Sequence, residues 1–208
     1  LIMSYVDPIL EKRALENLSP KEIHDALALH YDRMNKFVEG VAKDKWHLIV
    51  NGPAGVGKTE VVKTVFKDKN LVKTQPNFIS GTISAVRLYT LLHQYRRSGQ
   101  ITVIDDTDKI LEDTECLELL KAALDTQKDK PLNWSKYSTA LNSANAPDEF
   151  TYDGRIVIIT NKLLKTAETQ TPSRHQQQLL PLMSRCMYFR AGLPPSWRIK
   201  ALRYFQSI

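Results

Sequence analysis

The sequence predicts an α/β domain built on a parallel sheet, and three stretches predict it. Trp46–Val50 is a short apolar run of strand character. It leads through Asn51 into Gly52-Pro53-Ala54-Gly55-Val56-Gly57-Lys58-Thr59 and then an apolar-periodic run of helix character to Lys67. Ile101–Ile104 is a second apolar run, ending in Asp105-Asp106, and Arg155–Thr160 is a third, ending at Asn161. Runs apolar at nearly every position suit strands covered on both faces by helices, as in parallel sheets. Polar residues at the C-terminal ends of such strands lie where open parallel sheets bind ligands.

The 208 residues are enough for one such domain with a sizeable core and an appendage. The formal net charge of +6 mildly favours a polyanionic partner and is silent about fold. Cys116 and Cys186 lie far apart and make no metal-ligand pattern, so reduced, buried thiols are expected. Reduced thiols point to a cytoplasmic setting; no apolar run is long enough to span a membrane and no secretory pattern is visible. The chain opens on Leu1 rather than Met, which fits a processed or trimmed chain that could lack residues at either end.

Taken in order, residues 1–18 read as an arm with a short helical piece over 9–18. Ser19-Pro20-Lys21-Glu22 is a helix start: Ser19 caps, Pro20 suits the first helical position and Glu22 completes a capping box. The helix should run to about Val41, with Ile23, Leu27, Leu29, Tyr31, Met34, Phe37 and Val38 as apolar candidates and a plain packing role beside the sheet.

The eight residues from Gly52 to Thr59 fit G-x-x-x-x-G-K-[ST]. Glycines let the backbone turn with its N–H groups inward, forming a nest for phosphate oxygens at a helix N-terminus. Lys58 would reach β- and γ-phosphates and the Thr59 hydroxyl would hold Mg²⁺. The alternative is a Gly-rich turn that binds nothing. Its position between a strand and a helix favours phosphate.

Phe78–Ser80 is a candidate strand and Thr82–Arg97 a helix. The basic end, His93 to Arg97, suits either a nucleic-acid contact or a solvated helix C-terminus, and the second is the commoner use. At the end of Ile101–Ile104, Asp105 would hold Mg²⁺ and Asp106 would orient or deprotonate an attacking water. Asp108 is a spare acid suited to a helix cap or a contact with a neighbouring copy.

A helix is expected over Thr114–Thr126. Residues 127–153 are long for a simple connection. They hold Lys128, Lys130, Trp134, Lys136 and Tyr137, and two short strands around Leu132–Tyr137 and Glu149–Tyr152 could pair. Basic and aromatic residues together suit a nucleic-acid grip. An ordinary insertion with one or two aromatics tucked down fits equally.

Asn161 would lie beside Asp105 and Asp106 if their strands are neighbours, where its amide could position water; alone it would be a turn residue. A helix over Ser173–Met183, a strand over Met187–Arg190 and a helix from Trp197 to Phe205 close the chain.

The order GPAGVGKT, ITVIDD, IVIITN, then Ser184-Arg185-Cys186 before a strand and a Pro pair resembles the AAA+ family of ATPases over about residues 46–200. The Ser-Arg-Cys tripeptide is similar to the arginine-finger motif of clamp-loader subunits. The strand from Asp153 is similar to ATPases of bacteriophages and mobile elements.

The resemblance implies a P-loop NTPase three-layer sandwich with a five-stranded parallel sheet in the order 5-1-4-3-2. It divides the chain into an arm and helix (1–42), the ATPase core (43–193) and the start of a truncated or minimal helical lid (194–208), where Arg198 is a candidate second sensor. It implies ATP and Mg²⁺ as cofactors, Asn161 as first sensor, and self-association into a ring, commonly a hexamer. In such a ring Arg185 would complete a neighbour's site; alone, it could be a surface ion pair. The strand ends Asp-Asp where that family usually has Asp-Glu, so Asp106 is one methylene shorter: its carboxylate would fall short of the water or need a shifted backbone, and hydrolysis would be slow or aided by another group.

The function expected is ATP-driven remodelling or translocation of DNA. The rivals are a protein-remodelling ATPase, a slow nucleotide-gated assembly switch, and a small-molecule phosphotransferase.

Overall fold

The computed structural model describes residues 4–5, 18–106, 109–125, 131–135, 139, 141, 145–161 and 174–192. Its centre is a parallel sheet. The five longer strands are β2 (His47–Asn51), β3 (Asn77–Ser80), β4 (Ile101–Asp105), β7 (Arg155–Thr160) and β8 (Cys186–Arg190). They lie side by side in the order β8-β2-β7-β4-β3, which is 5-1-4-3-2 by chain position, all parallel.

The expected count of five is one short. Within the N-terminal arm, Ser4–Tyr5 forms β1, a sixth parallel strand on the outer edge of β8. Two residues are too few for periodicity to mark them in the sequence.

Alternation along the strands explains the layers. Leu48, Val50, Val103, Val157, Ile159 and Phe189 enter one apolar cluster, with Met34, Val38 and Val41 of α1 (Pro20–Ala42) and Val62, Val65 and Phe66 of α2 (Lys58–Phe66). Ile49, Ile104, Ile156, Ile158 and Tyr188 enter the other. There they meet α3 (Ala85–Gln94), α4 (Thr114–Ala123) and α5 (Arg174–Met183). Both sheet faces are therefore dry, which is why these strands read as continuous apolar runs.

The helix starts follow local chemistry. Ser19 and Glu22 form the anticipated capping box, with Pro20 in the first turn of α1. Leu29, expected on the apolar face, is instead 41% exposed. α3 starts at Ala85 rather than Thr82, because the Ser84 hydroxyl accepts from the Arg87 N–H and fixes the first turn there. It ends at Gln94, where an Arg96 guanidinium N–H donates to the His93 carbonyl at 2.6 Å. That contact accounts for Arg96 at the helix end.

The anticipated hairpin shrinks to β5 (Leu132–Asn133) paired antiparallel with β6 (Glu149–Phe150). Trp134 and Phe150 are buried against Tyr89 at ring-centroid distances of 5.5 and 4.9 Å. These two aromatics serve the core and are not available to stack on bases.

Both cysteines are buried free thiols. Among the described residues no helix is long and apolar enough to cross a membrane. The helical piece expected over 9–18 (Leu18 aside), Asp108, Lys128, Lys130, Lys136, Tyr137, Arg198 and the helix from Trp197 lie outside the described residues.

Candidate phosphate-binding site

β2 ends in a clamp. The buried Asn51 side chain accepts from the Tyr188 hydroxyl at 2.9 Å, and its backbone carbonyl accepts from the Ala191 N–H at 2.6 Å. Burial pushes the Tyr188 phenol up to about 12, so it stays a donor across the working range. Gly52 follows, donating its N–H to the Thr160 carbonyl at 3.2 Å. A Cβ there would lie 2.1 Å from the Ala191 carbonyl oxygen. The first glycine of the motif is thus required by the close passage of β8, not by turn conformation. Gly55 (φ 76°) and Gly57 (φ 77°) supply the left-handed turns, and Gly57 caps α2.

The turn delivers Lys58 and Thr59 to the C-terminal edge of the sheet. The buried Lys58 ammonium donates to the carbonyls of Gly52 and Pro53 and to Asn161 Oδ1, each at 2.8 Å. Asn161 Nδ2 donates to Asp106 Oδ1 at 2.6 Å, so Asn161 joins the lysine to the acid. The Thr59 hydroxyl donates to Asp105 Oδ1 at 3.0 Å. The link needs β4 and β7 to be neighbours, and they are, with Asp105 opposite Ile159.

Asp106 has φ 53°, in the left-handed region. Asp tolerates that region better than most residues.

These groups face a cavity of about 370 Å³ lined by Ala54–Glu60, Asp105, Asp106, Ile159 and Asn161. Pro53 and Gly52 stand behind it as acceptors for Lys58. Glu60 belongs to no fixed position of the motif. The available signal is its place in the first turn of α2, where an acid complements the helix dipole.

The donor set fits Mg²⁺. Thr59 and Asp105 offer hard oxygens 3.0 Å apart. Cis ligands of an octahedral ion at about 2.1 Å lie roughly 3 Å from one another. Among the described residues no group of three or more His, Cys, Asp or Glu is placed to hold an ion. A Mg²⁺ here would complete its shell from phosphate and water, its ordinary habit.

Arg185 is not part of this cavity. It precedes β8, at the opposite end of the sheet, about 16 Å away along a five-residue strand. Its guanidinium donates to the Pro181 carbonyl at 2.7 Å and lies 3.8 Å from Asp125 Oδ2. It lines a second cleft with Asp125, Trp46 and the ion-paired Asp44 and Arg155. Within one chain it cannot reach the Gly52–Thr59 loop.

No protein-family model matches the chain. It is similar to an uncharacterized 36.7 kDa protein in the nrdC–mobD intergenic region of Enterobacteria phage T4, 34% identical over 147 residues. The match takes in 70% of this chain and 45% of the phage protein, so the chain spans less than half the length of that relative.

Proposed function

We propose that this chain is an ATPase of AAA+ type, encoded by a phage or mobile element and acting in the host cytoplasm. The supporting observation is the single hydrogen-bonded chain from Lys58 through Asn161 to Asp106, set beside the Thr59–Asp105 pair in one cavity. A triphosphate entering the loop exchanges its γ-oxygens for the Asn161 and carbonyl partners of Lys58. The inward N–H groups of residues 54–59 and the positive end of α2 take the remaining phosphate charge. Asn161, released from Lys58, reads the γ-phosphate, and Asp106 orients the attacking water and accepts its proton. Mg²⁺, held through Thr59 and Asp105, supplies charge neutralisation. Catalysis is positioning plus electrostatics, with no covalent intermediate.

Arg185, outside its own site, completes the site of a neighbouring copy in a ring, commonly a hexamer. DNA is the proposed substrate, supported by the basic balance of the chain. The test is ATP turnover against protein concentration, with and without DNA, for wild type, Lys58→Ala and Arg185→Ala. Turnover per chain should rise with concentration and DNA, and both variants should lose it, Lys58→Ala through binding and Arg185→Ala with binding kept. Normal turnover by the assembled Arg185→Ala protein refutes the shared site.

One observation favours a second reading, a nucleotide-gated switch with little turnover. The Asp106 carboxylate is committed to Asn161 on a left-handed backbone. Tight ATP binding with negligible turnover in every condition would select it.

A further inference from the structure

We infer that Tyr31, on α1, is a positioning residue for the phosphate loop; this rests on the reading of that loop as a phosphate site. Its hydroxyl donates to the carbonyl oxygen of Val56 at 3.0 Å, across 25 positions of sequence. Val56 is the residue between the two left-handed glycines, and it is itself buried. A trans peptide holds its C=O and N–H antiparallel. With the Val56 carbonyl drawn outward to α1, the N–H of the same peptide, that of Gly57, is turned the other way. Val56 and Gly57 line the cavity and Tyr31 does not, so the side away from Tyr31 is taken as the cavity side. One hydroxyl outside the motif therefore sets the direction of one donor in the nest.

The brace is backed by packing. The Tyr31 ring meets His30 edge-on at 5.8 Å, and His30 is buried against Phe189 of β8 at 5.1 Å. Gly57 sits under the tyrosine, where a Cβ would be 3.8 Å from its ring and hydroxyl. The plain packing role expected for α1 from the sequence is thus incomplete. The helix also holds the loop from behind, and a donor aimed before a ligand arrives costs no reorganisation when the ligand binds.

The experiment compares wild type, Tyr31→Phe and Phe37→Leu. Phe37 is an α1 residue whose ring packs on Trp46 and Phe189. Affinities for ATP and for inorganic tripolyphosphate, each with Mg²⁺, are measured by calorimetry, and melting temperatures with and without each probe. Tyr31→Phe should weaken both probes by the same factor, about three- to tenfold, the worth of one hydrogen bond to a developing site. Its ligand-free melting temperature should fall by only about 2–4 °C, while the rise on adding either probe shrinks. Phe37→Leu should do the reverse, melting earlier with its affinities intact. Wild-type affinities in Tyr31→Phe overturn the inference and leave the phosphate site standing. A loss for ATP but not for tripolyphosphate also overturns it, since Tyr31 would then act at the base. Wild-type protein that binds neither probe removes the phosphate site and the brace together.

Discussion

Replacing Gly52 by alanine puts a methyl carbon 2.1 Å from the Ala191 carbonyl oxygen, 0.9 Å inside the 3.0 Å below which real contacts essentially never fall. The obstacle is backbone and cannot swing aside, because the Ala191 N–H is tied to the Asn51 carbonyl at 2.6 Å. β2 and β8 must part at their ends. Overpacking of this kind costs about 1–3 kcal/mol, and weakening the 2.6 Å bond adds about 1 kcal/mol. The lost freedom of the unfolded chain returns about 0.4–1 kcal/mol. The net destabilisation is about 1–3.5 kcal/mol, or roughly 1 M in the urea midpoint at the middle of that range.

Gly55→Ala is the control within the same motif. It has φ 76° but nothing within 4 Å of a Cβ. It should cost about 1–2 kcal/mol for the left-handed conformation, less the same unfolded-state gain. Urea unfolding should therefore rank Gly52→Ala as the more damaging change. Backbone conformation alone would give the opposite ranking. If Gly55→Ala proved the worse, or Gly52→Ala were neutral, the close approach of β8 to the loop would be wrong.

Three further outcomes are expected. Asp106→Asn keeps an acceptor for the Asn161 amide and suits a left-handed residue, so unfolding should stay within about 0.5 kcal/mol of wild type. ATP turnover should fall by about 10²–10⁴ with binding retained; retained turnover would exclude Asp106 as the base. Burial first, and Arg155 second, lower His47 to about 3. Its Nδ1 accepts the Ile156 N–H at 3.1 Å as a neutral ring. The unfolded chain takes up this proton from pH 6.5 downward while the fold refuses it, so stability is lost on acidification between about pH 6.5 and 3. The slope from this group is at most about 1.4 kcal/mol per pH unit. His47→Asn, which still offers an acceptor, should flatten that limb in urea titrations across pH, and an unchanged slope would refute the assignment. Burial drives the Cys116 thiol up to about 12 and Cys186 higher still. Neither should be alkylated at pH 8 until denaturant is added, as mass spectrometry of iodoacetamide-treated protein would show.

Much of the site is legible in the sequence because its chemistry is local. The loop, Lys58 and Thr59 follow from eight contiguous residues, and Asp105, Asp106 and Asn161 are the first polar groups after strands apolar on both faces. Whether Asn161 meets the acids depends on β4 and β7 being neighbours, which no local pattern states. Tyr31 was legible only as an apolar candidate, since its role depends on a contact 25 residues away. Trp134 and Phe150 carry the same composition whether they stack on a base or on Tyr89, and only tertiary packing decides. Ser84 could have been read as the start of α3 from its capping chemistry, but the apolar periodicity continued past it toward Thr82.

The order β2-β7-β4 across the middle of the sheet has a kinetic meaning. The bond between Lys58 and Asn161 joins residues 103 positions apart, and the β2–β7 contact from Ile156 to His47 spans 109. Closing loops of that size places such pairings late and makes folding slow relative to helical proteins of equal length. A ribosome-bound chain that has emerged only as far as β4 already displays its whole glycine-rich motif, yet it lacks the strand that separates β2 from β4. The Lys58–Asn161–Asp106 link therefore arrives with β7, while the sheet is completed only when β8, made last, pairs with β2 and ties Asn51 through Tyr188 and Ala191.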